Sequence, residues 1–262
     1  MARTCYVAFE TQAPAPVTVA AKLTLPAGEG LGGVVICHGS DGVDGRGEFY
    51  APTLQAGGLA TLELDMWAAR GSIRGAAARP RSPVETVPDA FAALAFLAAQ
   101  PEIDPARIGV MGFSWGGVVT LLAAARRFSD RLRAEAPPFA AHAALYPVCW
   151  AYTRVPDLAL TDLTGAPILI QTGDADAYDA PDAGLALAAA LRAAAAPDVS
   201  VLVHPGATHG FDRDLPAQTI NDPFAHQGAG GPVLMAFDPV AAEASRLEIG
   251  SFFGRALAVG SG

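Results

Sequence analysis

Short apolar runs alternate with helical stretches along most of this chain, and that alternation limits the fold more than any other feature. Residues 33–37 read Gly-Val-Val-Ile-Cys, a continuous apolar run. Such a run suits a strand buried on both faces of a parallel sheet. Further strand patterns lie at 17–25, 59–64, 107–113, 140–146, 167–172 and 199–204. Between residues 86 and 99, Val87, Ala90, Phe91, Leu94, Ala95 and Ala98 recur at helical spacing, which predicts an amphipathic helix. Helical character also covers 49–55, 118–127, 183–195 and 239–258. Strands alternating with helices predict a three-layer α/β fold, a mainly parallel central sheet flanked by helices. Residues 67–83, with several arginines, glycines and prolines, read as a surface excursion. There is no internal repeat and no linker, so residues 1–262 read as a single domain. Residues 212–236 are polar and aperiodic, and they read as a long loop or insertion that could serve as a lid.

Composition excludes several classes. Hydrophobic residues make up 52% and charged residues 16%, so the chain is not a disordered one. The net charge of −9 removes the electrostatic reason to bind nucleic acid or an acidic lipid surface. No apolar run reaches the length of a membrane span. The N-terminus shows no basic segment followed by a sustained apolar core, so no signal peptide is expected. A soluble, cytoplasmic monomer or homodimer is the expectation. The three cysteines, Cys5, Cys37 and Cys149, form no disulfide framework and read as buried free thiols.

The strongest local signal is Gly112-Phe-Ser-Trp-Gly-Gly117. It fits G-x-S-x-G, with a strand before it and a helix after it. Ser114 would then sit on a strained strand-to-helix turn with its hydroxyl above the sheet. Gly112 and Gly116 leave room for that turn, and the Trp115 N–H faces a developing negative charge near a helix N-terminus. The bland reading is a turn that merely needs glycines. The motif is not a dinucleotide fingerprint, because G-x-G-x-x-G does not occur.

Serine needs a base. Of the five histidines, His209 lies in Pro205-Gly-Ala-Thr-His-Gly-Phe211, just past the last strand and at the same sheet edge as Ser114. His204 ends that strand and reads as structural. His142 lies inside a strand, and His226 lies in the polar insertion. The acid belongs on a loop between Ser114 and His209. There Asp174, Asp176 and Asp179 compete, each of which could equally be a turn or cap residue. A second oxyanion donor is expected from the loop Cys37-His38-Gly39-Ser40, as the Ser40 N–H. The alternative is that His38-Gly39 only makes a tight turn.

With these residues in hand, the chain resembles the dienelactone hydrolase family of the α/β-hydrolase superfamily. The likeness rests on Val-Val-Ile-Cys-His-Gly-Ser-Asp-Gly at 34–42, Asp65-Met-Trp, and the Ser114 motif. It continues through Gly173-Asp-Ala-Asp176, His204-Pro-Gly-Ala-Thr-His-Gly-Phe and the closing helix. The resemblance implies the α/β-hydrolase fold and selects Asp176 as the acid that orients His209. It also implies catalysis without metal or organic cofactor. Three departures stand out. Founding members use a cysteine where Ser114 stands, they hold a glutamate where Gly39 stands, and their connection at 212–236 is shorter. These point to a general carboxylic-ester or lactone hydrolase acting on a small-molecule substrate.

Trp67, Trp115, Tyr146, Trp150 and Phe211 lie near predicted carboxyl-edge loops and are candidates for the pocket wall, with core packing as the alternative. Arg70 and Arg74 are candidates for holding a substrate carboxylate, against a reading as solvated loop arginines. Two rival functions use the same residues: an acyltransferase or thioesterase with the same triad, and a hydrolase fold kept as a binding or biosynthetic scaffold. A metal protein finds no support, because no H-x-x-x-H spacing occurs.

Overall fold

The structure is a computed structural model that describes residues 2–13, 15–71, 79–194 and 198–258. It opens with strands β1 (Arg3–Glu10), β2 (Thr18–Leu25) and β3 (Leu31–Cys37), helix α1 (Arg46–Ala56) and strand β4 (Leu59–Asp65). Helix α2 (Val87–Ala98), strand β5 (Ile103–Phe113) and helices α3 (Trp115–Ala123) and α4 (Arg126–Leu132) follow. Next come β6 (Ala141–Leu145), the single turn α5 (Ala151–Arg154), β7 (Ile168–Gly173), α6 (Ala183–Ala193) and β8 (Val199–His204). The chain ends with β9 (Gln218–Asp222), the short turn α7 (Ala225–Gly228), β10 (Gly231–Met235) and α8 (Pro239–Ala256).

Eight strands form one sheet in the order β1-β2-β4-β3-β5-β6-β7-β8. From β4 to β8 every pairing is parallel, while β1 and β2 join antiparallel at one edge. All seven residues of β3 are buried. Its period of two splits them between two cores. Val35 and Cys37 pack with α2, α3 and α6, and Val34 and Ile36 pack with α1 and α8. β5 divides in the same way, Val110 to the first core and Met111 and Phe113 to the second. Helices therefore cover both faces, which is why these strands carry no polar alternation. Each fully buried leucine or phenylalanine in these layers contributes ~1.5–3 kcal/mol of transfer free energy.

Two expectations need correction, and one strand, β1, has no clear signal in the sequence. It is an edge strand whose Cys5, Val7 and Phe9 are only half-buried against the core, and Phe9 stacks on Phe96 at 4.9 Å. Cys5 is accordingly half-buried, while Cys37 and Cys149 are buried free thiols. Residues 212–236 are not an irregular loop: β9 and β10 pair antiparallel from Gln218↔Met235 to Asp222↔Gly231. Among the described residues, no helix is long and apolar enough to cross a membrane.

Candidate active site

Parallel strands deliver their following loops to one edge, and a crevice there is where such sheets bind ligands. β5 ends at Phe113, and Ser114 follows at φ 51°, ψ −111°. That conformation costs a non-glycine residue of order 1–3 kcal/mol. Its neighbours hold it there. A Cβ on Gly112 would lie 2.2 Å from the Gly116 carbonyl oxygen, and one on Gly116 would lie 2.2 Å from that of Cys37. Only glycines let α3 start this close to the strand ends. The Ser114 N–H donates to the Leu145 carbonyl at 2.9 Å, which continues the β5–β6 pairing into the turn.

Ser114 Oγ lies 2.8 Å from His209 Nε2. His209 Nδ1 lies 2.7 Å from Asp176 Oδ2. A carboxylate only accepts, so Nδ1 carries the proton and Nε2 is free to accept from the serine hydroxyl. The imidazole is buried between Tyr178, at 4.3 Å between ring centres, and Tyr146, at 4.9 Å. Asp176 Oδ1 also accepts from the Tyr178 N–H at 2.9 Å. The other two aspartates of this loop have separate partners. Asp174 accepts from the Gly206 N–H, and Asp179 accepts from the Cys149 and Trp150 N–H groups at 2.7 and 2.8 Å. Burial raises the Asp179 carboxyl to about 6, against the pull of those two amides.

The loop after β3 lies against the start of α3, its Cys37 and His38 carbonyls facing Gly116. His38 is buried and held neutral, its pKa lowered by burial to about 4. Its Nδ1–H donates to the Gly39 carbonyl at 2.7 Å, and its Nε2 accepts from the Met66 N–H at 3.0 Å. The Ser40 carbonyl accepts from Trp67 Nε1 at 3.1 Å. The loop is thus clamped to the end of β4. Among the described residues, neither the Ser40 nor the Trp115 N–H donates to a protein acceptor. Trp115 occupies the first turn of α3, where amides lack helical partners.

Two lobes meet at Ser114. One is apolar, with Trp115, Val118, Val148, Ala151, Leu158 and Phe224 in its wall. The other is polar and holds His209, Ser40, Asp41, Arg213, Asn221 and Asp222. Arg79 and Tyr178 border both. Among the described residues, no three His, Cys, Asp or Glu side chains gather as a metal site requires.

Several expected wall residues lie elsewhere. Trp67 is buried and braces the Ser40 loop, edge-on to Trp115. Tyr146 and Phe211 are fully buried behind His209, in the core shared with α1 and α8. Trp150 packs under Gly228 and beneath Arg154. Arg70 is neither a carboxylate site nor a solvated arginine. It grips buried Asp89 with two hydrogen bonds, at 2.7 and 3.0 Å, and also donates to the Met66 carbonyl. Arg74 lies outside the described residues.

Other residues at the site escaped the sequence reading. Arg79 comes from the supposed surface excursion, yet its guanidinium donates to Ser40 Oγ at 2.7 Å and to Asp222. Nothing in the sequence separates it from its arginine neighbours. Behind His209, the Tyr146 phenol donates to Asp212 and accepts from Arg46 at 3.0 Å, and the Tyr50 phenol donates to the same Asp212. The signal here was proximity: Asp212 and Arg213 follow His209 within four residues, in a chain poor in charge.

The sequence model of the dienelactone hydrolase family matches residues 64–257. Among solved structures, the chain is similar to a dienelactone hydrolase-like promiscuous phosphotriesterase from metagenomic libraries. Identity there is 20%, 96% of this chain and 98% of that one are covered, and the TM-score is 0.65. It is similar to an esterase of Pyrobaculum calidifontis at 16% identity, 97% and 85% coverage and TM-score 0.67. It is also similar to a dienelactone hydrolase of Anabaena variabilis at 19% identity, 97% and 98% coverage and TM-score 0.58. At such identities the likeness speaks for the fold, which is that of the α/β-hydrolases. No curated protein matches the chain.

Proposed function

The chain belongs to the dienelactone hydrolase family, and from that premise we propose that it is a serine hydrolase cleaving carboxylic esters or lactones through an acyl-enzyme on Ser114. The observation that carries this reading is the continuous relay from Ser114 Oγ to His209 Nε2 at 2.8 Å and from His209 Nδ1 to Asp176 at 2.7 Å. It supplies a nucleophile, its base and the base's orienting group, each within hydrogen-bond reach.

The chemistry runs in two steps. Ser114 Oγ attacks the carbonyl carbon while His209 Nε2 takes the hydroxyl proton. Asp176 holds the tautomer and stabilises the imidazolium. The Trp115 and Ser40 N–H groups receive the oxyanion, and removing such a donor typically costs about 10²–10³ in kcat. His209 then returns its proton to the leaving oxygen, and the C–O bond breaks. Water, deprotonated by His209, attacks the acyl-enzyme and releases the acid and free Ser114. Because His209 must reach the leaving oxygen, the alcohol side of the substrate occupies the polar lobe. The acyl side occupies the apolar lobe around Val118, Val148 and Leu158.

Wild type and Ser114→Ala are to be assayed on p-nitrophenyl acetate, with wild type also treated with a fluorophosphonate and weighed intact. The expected result is turnover in the wild type, its loss in the variant, and one adduct located on Ser114. Turnover that survives in Ser114→Ala would overturn the assignment of the nucleophile. Absence of both turnover and adduct in the wild type would overturn the hydrolase reading.

A further inference from the structure

The polar lobe contains an ion pair that the reaction above does not use. Arg79 NH2 lies 3.1 Å from Asp222 Oδ1 and 3.0 Å from Oδ2, with the Asp222 side chain 1% exposed and Arg79 only 9%. The pair joins the segment before α2 to the end of β9, beside Ser114. Three further contacts hold it. Asp222 Oδ1 accepts from the Phe224 N–H at 2.8 Å. The Arg79 guanidinium lies between the Trp115 and Phe224 rings, at 5.4 and 5.3 Å. Its other nitrogen donates to Ser40 Oγ. The other two arginines of the lobe are also neutralised: Arg213 lies 3.0 Å from Asp41 and 3.1 Å from Asp44, and Arg46 lies 2.7 Å from the same Asp44.

An unpaired guanidinium in a recessed cleft attracts carboxylates, in a geometry that arginine matches well. Here each guanidinium already faces a fixed carboxylate. For Arg79 to turn toward a substrate anion, Asp222 would be left buried without its countercharge, which is strongly unfavourable. An anion entering the lobe would also meet Asp41 at its mouth. Groups that hydrogen-bond without charge face no such cost, and Asn221 and Asp41 offer partners at the rim.

We propose that Asp222, by pairing with Arg79, is a specificity-determining residue that makes the leaving-group lobe select uncharged esters or lactones with hydrogen-bonding groups on the alcohol side, and reject their carboxylated counterparts. This rests on the hydrolase reading above and names the substrate class of that site.

The test compares two isosteric acetates, 3-carbamoylphenyl acetate and 3-carboxyphenyl acetate, each corrected for its rate with hydroxide. The wild type is expected to favour the carbamoyl ester by about tenfold or more in kcat/KM, as expected where like charges oppose binding. Asp222→Asn, which keeps the shape and frees Arg79, is expected to shrink that ratio by about tenfold. Asp41→Asn changes a rim residue 37% exposed, so its folding is not at stake, and it is expected to shrink the ratio in the same direction. Equal turnover of both esters by the wild type, or a ratio unchanged in a folded Asp222→Asn, would overturn the proposal. Fluorophosphonate labelling of Ser114 and turnover of p-nitrophenyl acetate are measured alongside. Both present with equal use of the two esters sinks this inference alone, whereas both absent sinks the hydrolase reading and this inference with it.

Discussion

The Tyr146 phenol donates to Asp212 Oδ1 at 2.5 Å, although 66 residues of chain separate them. Tyr146 is fully buried and sits at φ 38°, so the chain accepts strain to deliver it there. One side chain thus does two things: its ring edge supports His209, and its hydroxyl helps satisfy a buried carboxylate that burial pushes toward protonation. Tyr146→Phe keeps the ring and strands Asp212 short of one donor. The expected cost is about 1–3 kcal/mol of stability, read as a lower urea midpoint. Tyr146→Ala removes the support for His209 as well, and its kcat is expected to fall further than that of Tyr146→Phe. Equal kcat in the two variants would show that the ring does not position His209.

Asp176 and Asp179 lie three residues apart and should behave oppositely. Asp176→Asn leaves the geometry but spoils the tautomer of His209, and kcat is expected to fall by roughly 10⁴. Asp179→Asn loses one of two bonds to the Cys149 and Trp150 amides. Those amides shape the turn that presents Val148 and Ala151 to the apolar lobe. The expected effect is a raised KM that grows with acyl length. Steady-state kinetics on acetate and butyrate esters separates the two, and a larger kcat loss in Asp179→Asn would reverse the assignment.

The legible parts of this fold were those in which local pattern and final environment agree. β3, all apolar and all buried, could be read directly, as could the turn around Ser114 with its glycines. β1 escaped because an edge strand is stabilised by one neighbour, and its alternation carries only half-buried side chains. The β9–β10 ribbon escaped because β9 is polar and β10 is a five-residue run opened by glycine and proline that buries only Val233 and Met235, so no hydrophobic period marks the pair. At the site, the aromatic residues were legible as being near the sheet edge but not in their orientation. Phe211 and Tyr146 turn inward to pack on His204 and His209. Whether a side chain faces the cleft or the core is set by packing across the sheet, which adjacency in sequence does not encode.

Gly112 offers a steric test of the turn. A methyl group there would overlap the Gly116 carbonyl, backbone that cannot swing aside. Gly112→Ala is expected to cost about 1–3 kcal/mol, as overpacked cores do, and to remove activity by displacing Ser114. Thermal melting and fluorophosphonate labelling check both halves. A variant that melts normally and labels at full rate would show the turn to be far more accommodating than its geometry.

Acid response follows from two buried groups with opposite signs. Burial lowers His142 to about 4, from an unfolded value near 6.5. Its stabilisation is complete above 6.5 and is lost as pH falls through 4. Burial raises Asp89 to about 6 from 3.8, with Arg70 opposing. That contribution is complete below 3.8 and is lost as pH rises through 6. Relative to wild type, His142→Leu is therefore expected to gain stability on acidification from 6.5 to 4, at about 1.4 kcal/mol per pH unit. Asp89→Asn should lose ground over 6 to 3.8. Denaturant titrations at several pH values read both slopes, and parallel pH profiles for wild type and variants would refute the assignment.

The contact between Arg79 and Asp222 spans 143 residues of chain, and it makes two excursions from the sheet into one unit of inheritance. A chimera that keeps Arg79 in its 66–86 segment but takes its 212–236 ribbon from a chain without Asp222 receives half of the pair, with a charge facing nothing. Exchange of substrate preference within this scaffold therefore calls for moving both segments together, however far apart they stand in the gene.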